Sequence, residues 1–446
     1  MTIRLIQPRM GLRPMDTHIK PRMSPPLGLY VIAELLRDEH TVIVENENVE
    51  KLSGKDADLV GISVTVDTFP RACEIAASYR ARGIPVVAGG IHISCDPESC
   101  APHFDALSIG PAELVWPTIA ADAERGQLQK IYRCSRPMTG EDIASPAWDM
   151  IDQRRYLYAN ILFTSYGCPF RCDFCYNSCD AYKGLHIRKP VKQVLREIEA
   201  MHRRHVMFID DNFIGDIGWA REMVEALKPL NLRWNAAVSA NIADHPDLLD
   251  RMKESGCKSL FIGFESLSAD AVAGVHKVQN HTDRYERLVE ALHSRGIMIN
   301  ASFVFGLDGE TPEIFDRTVD WILSHRIETV TSHILTPYPG TELHRRLHDA
   351  GRIIDTDLSH YNTAHVVYTP SGMSAKELYR GYLNVYRRVY SFGGILRRIP
   401  KAGEQVLPYL AFNFLYRKFG KVSDLICRLA GYGRVGVWGE KISRYI

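Results

Sequence analysis

The 446-residue sequence is 46% apolar and 24% charged, the balance of an ordinary globular protein with room for about three domains. Its 54 Lys and Arg against 53 Asp and Glu give no basic excess, so no nucleic-acid partner is expected. No apolar run approaches the roughly 18 residues of a transmembrane helix, and the charged start Met-Thr-Ile-Arg is not typical of a signal peptide. We therefore expect a cytoplasmic protein without a transmembrane span.

Residues 1–130 alternate apolar runs with helical stretches. The predicted strands are Ile3–Gln7, Thr41–Glu45, Leu59–Val66, Val86–Ala88 and Ala106–Ile109. The predicted helices are Leu27–Asp38, Arg71–Arg82 and Glu113–Arg125. Strands separated by such helices predict an α/β domain, with a parallel sheet covered on both faces. Residues 131–155 then predict a polar connector that contains Pro137, Gly140 and Pro146.

A second strand–helix series occupies residues 156–345. Its predicted strands are Ile161–Thr164, Val206–Ile209, Arg233–Ala237, Ser259–Gly263, Met298–Val304 and Glu328–Leu335. Its predicted helices are Val191–His202, Trp219–Lys228, Pro246–Ser255, Asp283–Ser294 and Pro312–Ser324. Six such units are too few to close an eight-stranded barrel. Residues 346–446 predict a mainly helical extension, with Ala375–Tyr390 as its clearest helix.

Three of the ten cysteines stand together in the run Tyr166-Gly-Cys-Pro-Phe-Arg-Cys-Asp-Phe-Cys-Tyr-Asn177. Cys168, Cys172 and Cys175 have the spacing C-x3-C-x2-C. Thiolates are the ligands that iron–sulfur clusters prefer, and three of them leave one iron of a 4Fe–4S cluster open. A zinc site or a closed cluster would need a fourth ligand, for which Cys179 is the nearby candidate. The cysteines outside the motif are expected to be reduced thiols, not a disulfide framework.

This cysteine run resembles the signature of the radical S-adenosylmethionine (SAM) superfamily. The resemblance implies a partial (β/α)6 barrel, a 4Fe–4S cluster on the three cysteines, and SAM bound to the open iron through its amino and carboxylate groups. It also implies a flavodoxin or ferredoxin-type donor whose electron splits SAM and releases a 5′-deoxyadenosyl radical. Cys179 is then expected to be a bystander or to face the active site.

Function in parallel barrels gathers at the C-terminal ends of the strands. Asp210 and Asp211 follow the second strand, where the family places a segment that hydrogen-bonds the SAM amino group. Ser239 and Asn241 follow the third strand. These positions resemble cofactor-binding positions of the family, although the segment at Asp210 matches by place in the fold and not by residue type.

The later strands carry further candidates. Glu265 and Ser266, in Gly263-Phe-Glu-Ser, resemble the segment that contacts the SAM carboxylate or ribose. Asn300 opens a stretch similar to the adenine-contacting strand, in which Gly306 would permit close approach. Glu265 and His333 are the candidates for proton transfer. Inward-facing polar side chains predict a polar cavity; they are Asn235, Ser239, Asn300, Ser302 and His333.

Residues 24–126 resemble the cobalamin-binding Rossmann-like domain that precedes many radical SAM cores. The matching segments are Ser24-Pro-Pro-Leu-Gly-Leu, Gly61-Ile-Ser-Val-Thr65, Gly89-Gly-Ile-His92 and Gly110-Pro-Ala-Glu113. The resemblance implies that Gly89 and Gly90 face the nucleotide tail of cobalamin and that Ser63 and Thr65 hydrogen-bond it. The cobalamin-ligating motif D-x-H-x-x-G is incomplete, since Asp16-Thr-His-Ile-Lys-Pro21 ends in proline, so cobalamin binding stays open.

Two other segments have simpler interpretations. Gly431-Tyr-Gly-Arg-Val-Gly436 fits G-x-G-x-x-G, but it lacks a surrounding βαβ unit and is not predicted to bind a dinucleotide. The aromatic and basic segment 406–419 could lie on a membrane surface, and packing on the barrel is the favoured alternative.

Within the superfamily, the sequence is most similar to radical SAM diol-dehydratases of aminoglycoside antibiotic biosynthesis. The shared segments are Arg9-Met-Gly-Leu-Arg-Pro14, Cys175-Tyr-Asn177 and residues 235–241, and the stretch from Tyr361 resembles the helical extension of the wider subgroup. The resemblance implies hydrogen abstraction from a polar, hydroxyl-bearing small molecule followed by loss of water, with an NADPH-dependent reductase acting on the product. Cobalamin-dependent radical C-methylation, as in the more distant hopanoid and bacteriochlorophyll methyltransferases, is the main alternative. A non-catalytic iron–sulfur electron carrier is the alternative from another class.

Overall fold

The computed structural model describes residues 1–201, 203–401 and 403–444. The first sheet is entirely parallel and has the order β2-β1-β3-β4-β5-β6. Its strands are β1 (Thr2–Gln7), β2 (Thr41–Asn46), β3 (Leu59–Ser63), β4 (Val86–Gly89), β5 (Ala106–Ile109) and β6 (Ile131–Arg133). Its helices are α1 (Leu27–Leu36), α2 (Phe69–Arg80), α3 (Ile91–Cys95), α4 (Pro97–Cys100) and α5 (Trp116–Glu124).

Two separate clusters of buried apolar side chains cover the two faces of this sheet. A parallel sheet with helices on both sides requires apolar residues on both faces. The five predicted strands and three predicted helices are confirmed, with small shifts at their ends. The predicted connector differs, because its first residues form the sixth strand, β6, which pairs with β5. Its three-residue length gave no alternating pattern to recognise.

The second sheet is also parallel, with the order β14-β13-β12-β11-β10-β7. Its strands are β7 (Ile161–Leu162), β10 (His205–Phe208), β11 (Arg233–Val238), β12 (Cys257–Glu265), β13 (Met298–Phe305) and β14 (Thr329–Ile334), and an antiparallel hairpin of β8 (Ser165–Gly167) and β9 (His186–Arg188) follows β7. Its helices are α6 (Val191–Met201), α7 (Ile217–Leu227), α8 (Pro246–Glu254), α9 (Ala269–Ala273), α10 (Tyr285–Ser294), α11 (Glu313–Ser324) and α12 (Glu342–Asp349). The six predicted strands are confirmed, and the hairpin was not predicted. The predicted end of α6 at His202 lies outside the described residues.

The remaining chain is mainly helical, as predicted. Its elements are α13 (Ala375–Val389), α14 (Phe392–Arg397), α15 (Gly403–Leu410), a π-helical segment (Ala411–Lys418), α16 (Gly420–Ala430) and α17 (Tyr432–Arg444). Helix α13 packs on β14, where Tyr386 donates a hydrogen bond to the Ser332 carbonyl. The G-x-G-x-x-G segment begins at Gly431, the C-cap of α16, and continues into α17, where a Cβ at Gly433 would be 2.7 Å from the Gln153 carbonyl, so Gly433 allows close packing of this helix. Among the described helices, none combines the length and apolar character needed to cross a membrane.

Candidate active site

The three cysteines lie in the loop of the β8–β9 hairpin, at the C-terminal edge of the barrel sheet. Gly167 has φ +77° just before Cys168, in the left-handed region that favours glycine. Cys172 is buried, and Cys168 and Cys175 are half-buried. Asp173 fixes the middle of the loop, because its carboxylate pairs with His276 at 2.9 Å and with Arg346 at 3.1 Å. The loop is therefore held by two later parts of the barrel.

Asp210 anchors the start of this hairpin. Its buried carboxylate accepts hydrogen bonds from the Thr164 backbone at 2.7 Å, from the Thr164 hydroxyl at 2.9 Å and from the Ser165 hydroxyl at 2.6 Å. Burial nevertheless raises the pKa of Asp210. Because both its oxygens are engaged, Asp210 positions the cysteine loop. Asp211 is exposed and accepts from Asn177 at 3.0 Å, and the SAM-binding roles of both residues stay predictions.

The donor set suits an iron–sulfur cluster better than a single ion. Burial raises the pKa of all three thiols, that of Cys175 to about 12, so a bound cation is needed to stabilise the thiolates. Gln279 and Asn177 direct their amides at the sulfurs of Cys172 (3.6 Å) and Cys175 (3.7 Å). Within residues 1–201, 203–401 and 403–444, no three His, Cys, Asp or Glu side chains converge on one ion. A cluster with one cysteine per iron does not require that convergence, so the residues fit it.

Beside the cysteines lies a buried ion pair, Glu265 with Lys277. Glu265 has φ +64°, a strained value for a residue with a side chain. A Cβ at Gly263 would be 2.8 Å from the Lys277 ammonium, so this glycine makes room for the pair. Burial opposes the charged form of Lys277, but Glu265 and Cys172 outweigh it and raise the pKa of Lys277. The proton-transfer role of Glu265 stays a prediction, and Lys277 is a site cation that the sequence patterns did not reveal.

Glu310 organises the next strand end and was also missed. It accepts from the Ser266 hydroxyl at 2.6 Å and from the Gly306 amide at 2.8 Å, and burial raises its pKa to about 7. Gly306 has φ +94°, and a Cβ there would be 2.7 Å from Leu378. Gly306 therefore allows close packing of the C-terminal extension. Ser266 and Gly306 stay predictions as cofactor ligands, with these structural roles beside them.

The polar side chains predicted to line one cavity are spread along the barrel. Asn235 contacts His205 at 3.2 Å near the start of the strands. Ser239 is bonded to Asn212 at 3.0 Å, and Asn300 accepts from Thr331 at 3.4 Å. These residues thus form separate contacts at several depths, and their cofactor roles stay predictions.

His333 lies near the mouth of the barrel. Its Nδ1 is 3.0 Å from the Thr363 hydroxyl, which also accepts from Arg13 at 2.8 Å. Burial and the charges of Arg13 and Arg417 lower the pKa of His333 to about 3. The imidazole is therefore neutral at physiological pH, and it is a weak base.

Thr363, which is hydrogen-bonded to both His333 and Arg13, has φ +65°, an outlier for a β-branched residue. Such strain persists where the surroundings impose it, and it is common at functional sites.

A pocket of about 250 Å³ surrounds this link and is named the barrel-mouth pocket. Its polar lining residues are Arg13, Lys20, Thr65, Asp67, Tyr176, Tyr338, Tyr361, Asn362 and Thr363. The rings of Tyr176 and Tyr338 stack at 4.5 Å, and the buried Tyr176 hydroxyl has no hydrogen-bond partner among the described residues. The pocket thus joins the N-terminal segment, the cysteine loop and the C-terminal extension.

A second cavity, of about 290 Å³, lies between the C-terminal edge of the first sheet and the cysteine loop; we name it the interdomain cavity. Ser63, Gly89 and Gly90 line it, as does Asp211 from the barrel. Gly90 has φ +104°, and a Cβ there would be 2.8 Å from the Val64 carbonyl. Thr65 does not line this cavity, because its hydroxyl bonds Asp67 at 2.7 Å beside the barrel-mouth pocket.

The glycines of this cavity would let a ligand approach the protein backbone closely. No described atom lies within 4 Å of a Cβ built at Gly28 or Gly110, so both glycines border open space. The buried Glu113 accepts from Tyr166 at 2.8 Å and ties the first domain to the cysteine strand. His18, the histidine of the incomplete D-x-H-x-x-G motif, is exposed and is not among the lining residues, so it does not contact this cavity.

Cys95, at the end of α3, is disulfide-bonded to Cys179. The prediction that all cysteines outside the motif are free is therefore wrong for this pair. Folding brings together two residues 84 positions apart, a contact that spacing does not reveal. The pairing also removes Cys179 as a fourth cluster ligand.

Comparison with known proteins gives three domain matches along the chain. The radical SAM superfamily matches residues 162–322, the B12 binding domain matches residues 22–120, and a domain of unknown function (DUF4070) matches residues 341–416. This chain is a radical SAM protein with a B12-binding domain. These domains imply a 4Fe–4S cluster, SAM and cobalamin as cofactors, so the question left open for cobalamin is answered in its favour.

Curated relatives cover most of the chain at low identity. The bacteriochlorophyllide d C-12(1)-methyltransferase of Chlorobaculum tepidum is 28% identical over 89% of this chain and 89% of its own length. The hopanoid C-2 methylase of Rhodopseudomonas palustris is 29% identical over 75% of this chain and 66% of its own. The anaerobic magnesium-protoporphyrin IX monomethyl ester cyclase of Rubrivivax gelatinosus is 24% identical over 90% and 78%.

Two solved structures share the fold. The cobalamin-dependent SAM radical enzyme OxsB superposes with a TM-score of 0.69 at 14% identity, over 94% of this chain and 71% of that chain. The radical SAM methyltransferase TsrM of Kitasatospora setae gives 0.64 at 19% identity, over 78% of each. They confirm the α/β architecture: a B12-binding-type domain, a radical SAM barrel and a helical extension.

Proposed function

We propose that this radical SAM enzyme abstracts a hydrogen atom from a polar, hydroxyl-bearing small molecule in the barrel-mouth pocket, and that the substrate radical then loses water. The observation that carries the proposal is the lining of that pocket. Two segments shared with diol-dehydratases, around Arg13 and Tyr176, lie far apart in sequence and meet there beside Tyr361 of the C-terminal extension. The charged and hydroxyl groups suit the hydroxyls of a polar substrate, and the apolar Met10, Val66 and Ile91 of the same lining suit its carbon skeleton, whereas tetrapyrroles and hopanoids present large apolar surfaces.

The cluster and SAM, when bound, supply the hydrogen-abstracting radical. In the proposal, Cys168, Cys172 and Cys175 hold the cluster, and Asp211 and Lys277 hold the amino and carboxylate groups of SAM. Lys277 supports this role because its buried ammonium, paired with Glu265, lies beside the cysteine loop. An external flavodoxin or ferredoxin-type protein supplies the electron.

Arg13 is proposed to stabilise the departing hydroxyl group. Its guanidinium lies at the pocket wall, held between Asp16 at 2.9 Å and the Thr363 hydroxyl at 2.8 Å. Charge-assisted hydrogen bonds of this kind are the strong ones, and a neutral His333 keeps Thr363 in place. An NADPH-dependent reductase would then complete the deoxygenation of the product.

Cobalamin-dependent radical C-methylation is the second candidate. The B12-binding domain, the interdomain cavity and the methyltransferase names of the relatives favour it. In that case a corrinoid in the interdomain cavity would lie next to Asp211 and the cysteine loop.

One experiment separates the candidates. The anaerobically reconstituted protein is incubated with SAM, a reductant and hydroxylated aminosugars, with and without hydroxocobalamin, and products are measured by mass spectrometry. Dehydration predicts 5′-deoxyadenosine and a product 18 Da lighter (the mass of the water lost), without S-adenosylhomocysteine, because the radical left after water loss takes one further electron from the reductant and a proton from water. Methylation predicts S-adenosylhomocysteine and a product about 14 Da heavier, only with the corrinoid. Absence of both 5′-deoxyadenosine and S-adenosylhomocysteine from all mixtures would favour a non-catalytic electron carrier.

A further inference from the structure

Helix α16 carries an apolar stripe on its outward face. Val422, Leu425, Ile426 and Leu429 are 56%, 56%, 49% and 81% exposed. Their spacing of i, i+3, i+4 and i+7 places them on one side of the helix, while Asp424 and Cys427 on the other side are buried. A surface helix normally turns such a stripe inward, so α16 has the reverse arrangement.

The stripe continues into an aromatic cluster. Phe419 precedes α16 and lies 6.1 Å from Phe392 and 6.2 Å from Phe414, and Leu415 is 55% exposed. Ten of the 17 large apolar side chains exposed in the described chain fall between residues 392 and 438. Exposed apolar residues are normally scattered singly, so this concentration indicates an interaction surface.

The charge of the same segment is strongly positive. Residues 391–446 contain ten Lys and Arg but only three Asp and Glu, although the whole chain is nearly neutral; of these cations Arg398 is fully buried and does not contribute to the surface. Lys418 and Lys421 are exposed at either side of Phe419, and the Lys418 ammonium lies 4.9 Å from the Phe392 ring. The described acids point inward: Asp424 pairs with Arg428, and Glu440 with Arg203.

We infer that this outward face, from Phe392 to Leu429, binds the surface of an anionic lipid bilayer. An apolar stripe flanked by Lys and Arg matches an interfacial helix, whose apolar side chains enter the acyl boundary while the cations meet lipid phosphates. A second copy of the chain fits less well, because two such faces would bring like charges together. The inference does not depend on the proposed function.

Vesicle flotation tests the inference with the full-length protein. Wild-type protein should float with phosphatidylcholine vesicles that contain phosphatidylglycerol, and should bind pure phosphatidylcholine much more weakly. Leu425→Gln with Leu429→Gln should lower partitioning of the protein into these vesicles about tenfold, because two apolar side chains that would enter the bilayer are lost. Lys418→Gln with Lys421→Gln should remove much of the salt dependence of vesicle binding. Ile354→Gln, at an apolar residue 56% exposed outside this face, is the matched control and should bind like wild type.

Circular dichroism verifies that each variant is folded, and light scattering after gel filtration gives its oligomeric state. The inference is overturned if wild-type protein stays unbound in the presence of phosphatidylglycerol vesicles. It is also overturned if the protein is a dimer that Leu425→Gln with Leu429→Gln converts to a monomer while vesicle binding is unchanged.

Discussion

The C-terminal edges of the two parallel sheets differ in what they present. The edge of the first sheet presents backbone at Gly89, Gly90 and Gly110, beside the interdomain cavity. The edge of the barrel sheet presents charged side chains, among them Asp211 and Glu265. The same topology therefore offers two kinds of surface: backbone that a ligand can approach closely at one edge, and charged side chains at the other.

The largest effect should come from the barrel edge. Cys172→Ala removes one of three thiolates and should abolish cluster assembly and SAM cleavage, because no fourth cysteine is free nearby to replace it among the described residues. Iron analysis, visible absorbance and 5′-deoxyadenosine formation measure this. Cys134→Ala, at a half-buried free thiol of the first domain, should retain all three.

Substitutions at Asp210 and Asp211 separate the positioning of the cysteine loop from the proposed binding of SAM. Asp210→Asn should destabilise the protein by about 3 kcal/mol, because the amide cannot accept all the hydrogen bonds of Thr164 and Ser165. Asp211→Asn should leave the free energy of unfolding almost unchanged and raise the KM for SAM. Denaturant unfolding and SAM titration measure the pair, and equal unfolding midpoints for the two variants would contradict the division.

Glu310 makes the barrel edge sensitive to pH. Its pKa is about 7 in the folded protein against an ordinary value of 4.5, so the folded state keeps a proton that the unfolded state has lost. Its contribution to stability is fully present below about pH 4.5 and is lost as the pH rises through about 7, a total of about 3 kcal/mol. Glu310→Gln does not titrate, so the difference in unfolding free energy between wild type and variant should change by that amount. A constant difference from pH 4 to about pH 8 would refute this.

A substitution at Gly90 tests whether the edge of the first sheet requires glycine. Gly90→Ala adds a Cβ about 2.8 Å from the Val64 carbonyl at φ +104°, and should cost about 2 kcal/mol in unfolding free energy. Gly28→Ala is the matched change on the same cavity, where no described atom lies within 4 Å of the new carbon; it should be neutral or slightly stabilising in helix α1. Similar losses for the two variants would show that Gly90 is not conformationally required.

The sequence by itself determined the order of the longer strands and helices, but not the three-residue strands β6, β8 and β9, and it identified the three cysteines of the cluster. Both are local properties: apolar periodicity reports which face an element buries, and C-x3-C-x2-C places its thiols within one loop. The tertiary structure decided which strand-end residues act together. Asp210 and Asp211 are neighbours with different surroundings, Thr363 meets Arg13 across 350 positions, and Cys95 meets Cys179 across 84. Such partners depend on how distant elements pack, and no short-range pattern in the chain encodes that packing.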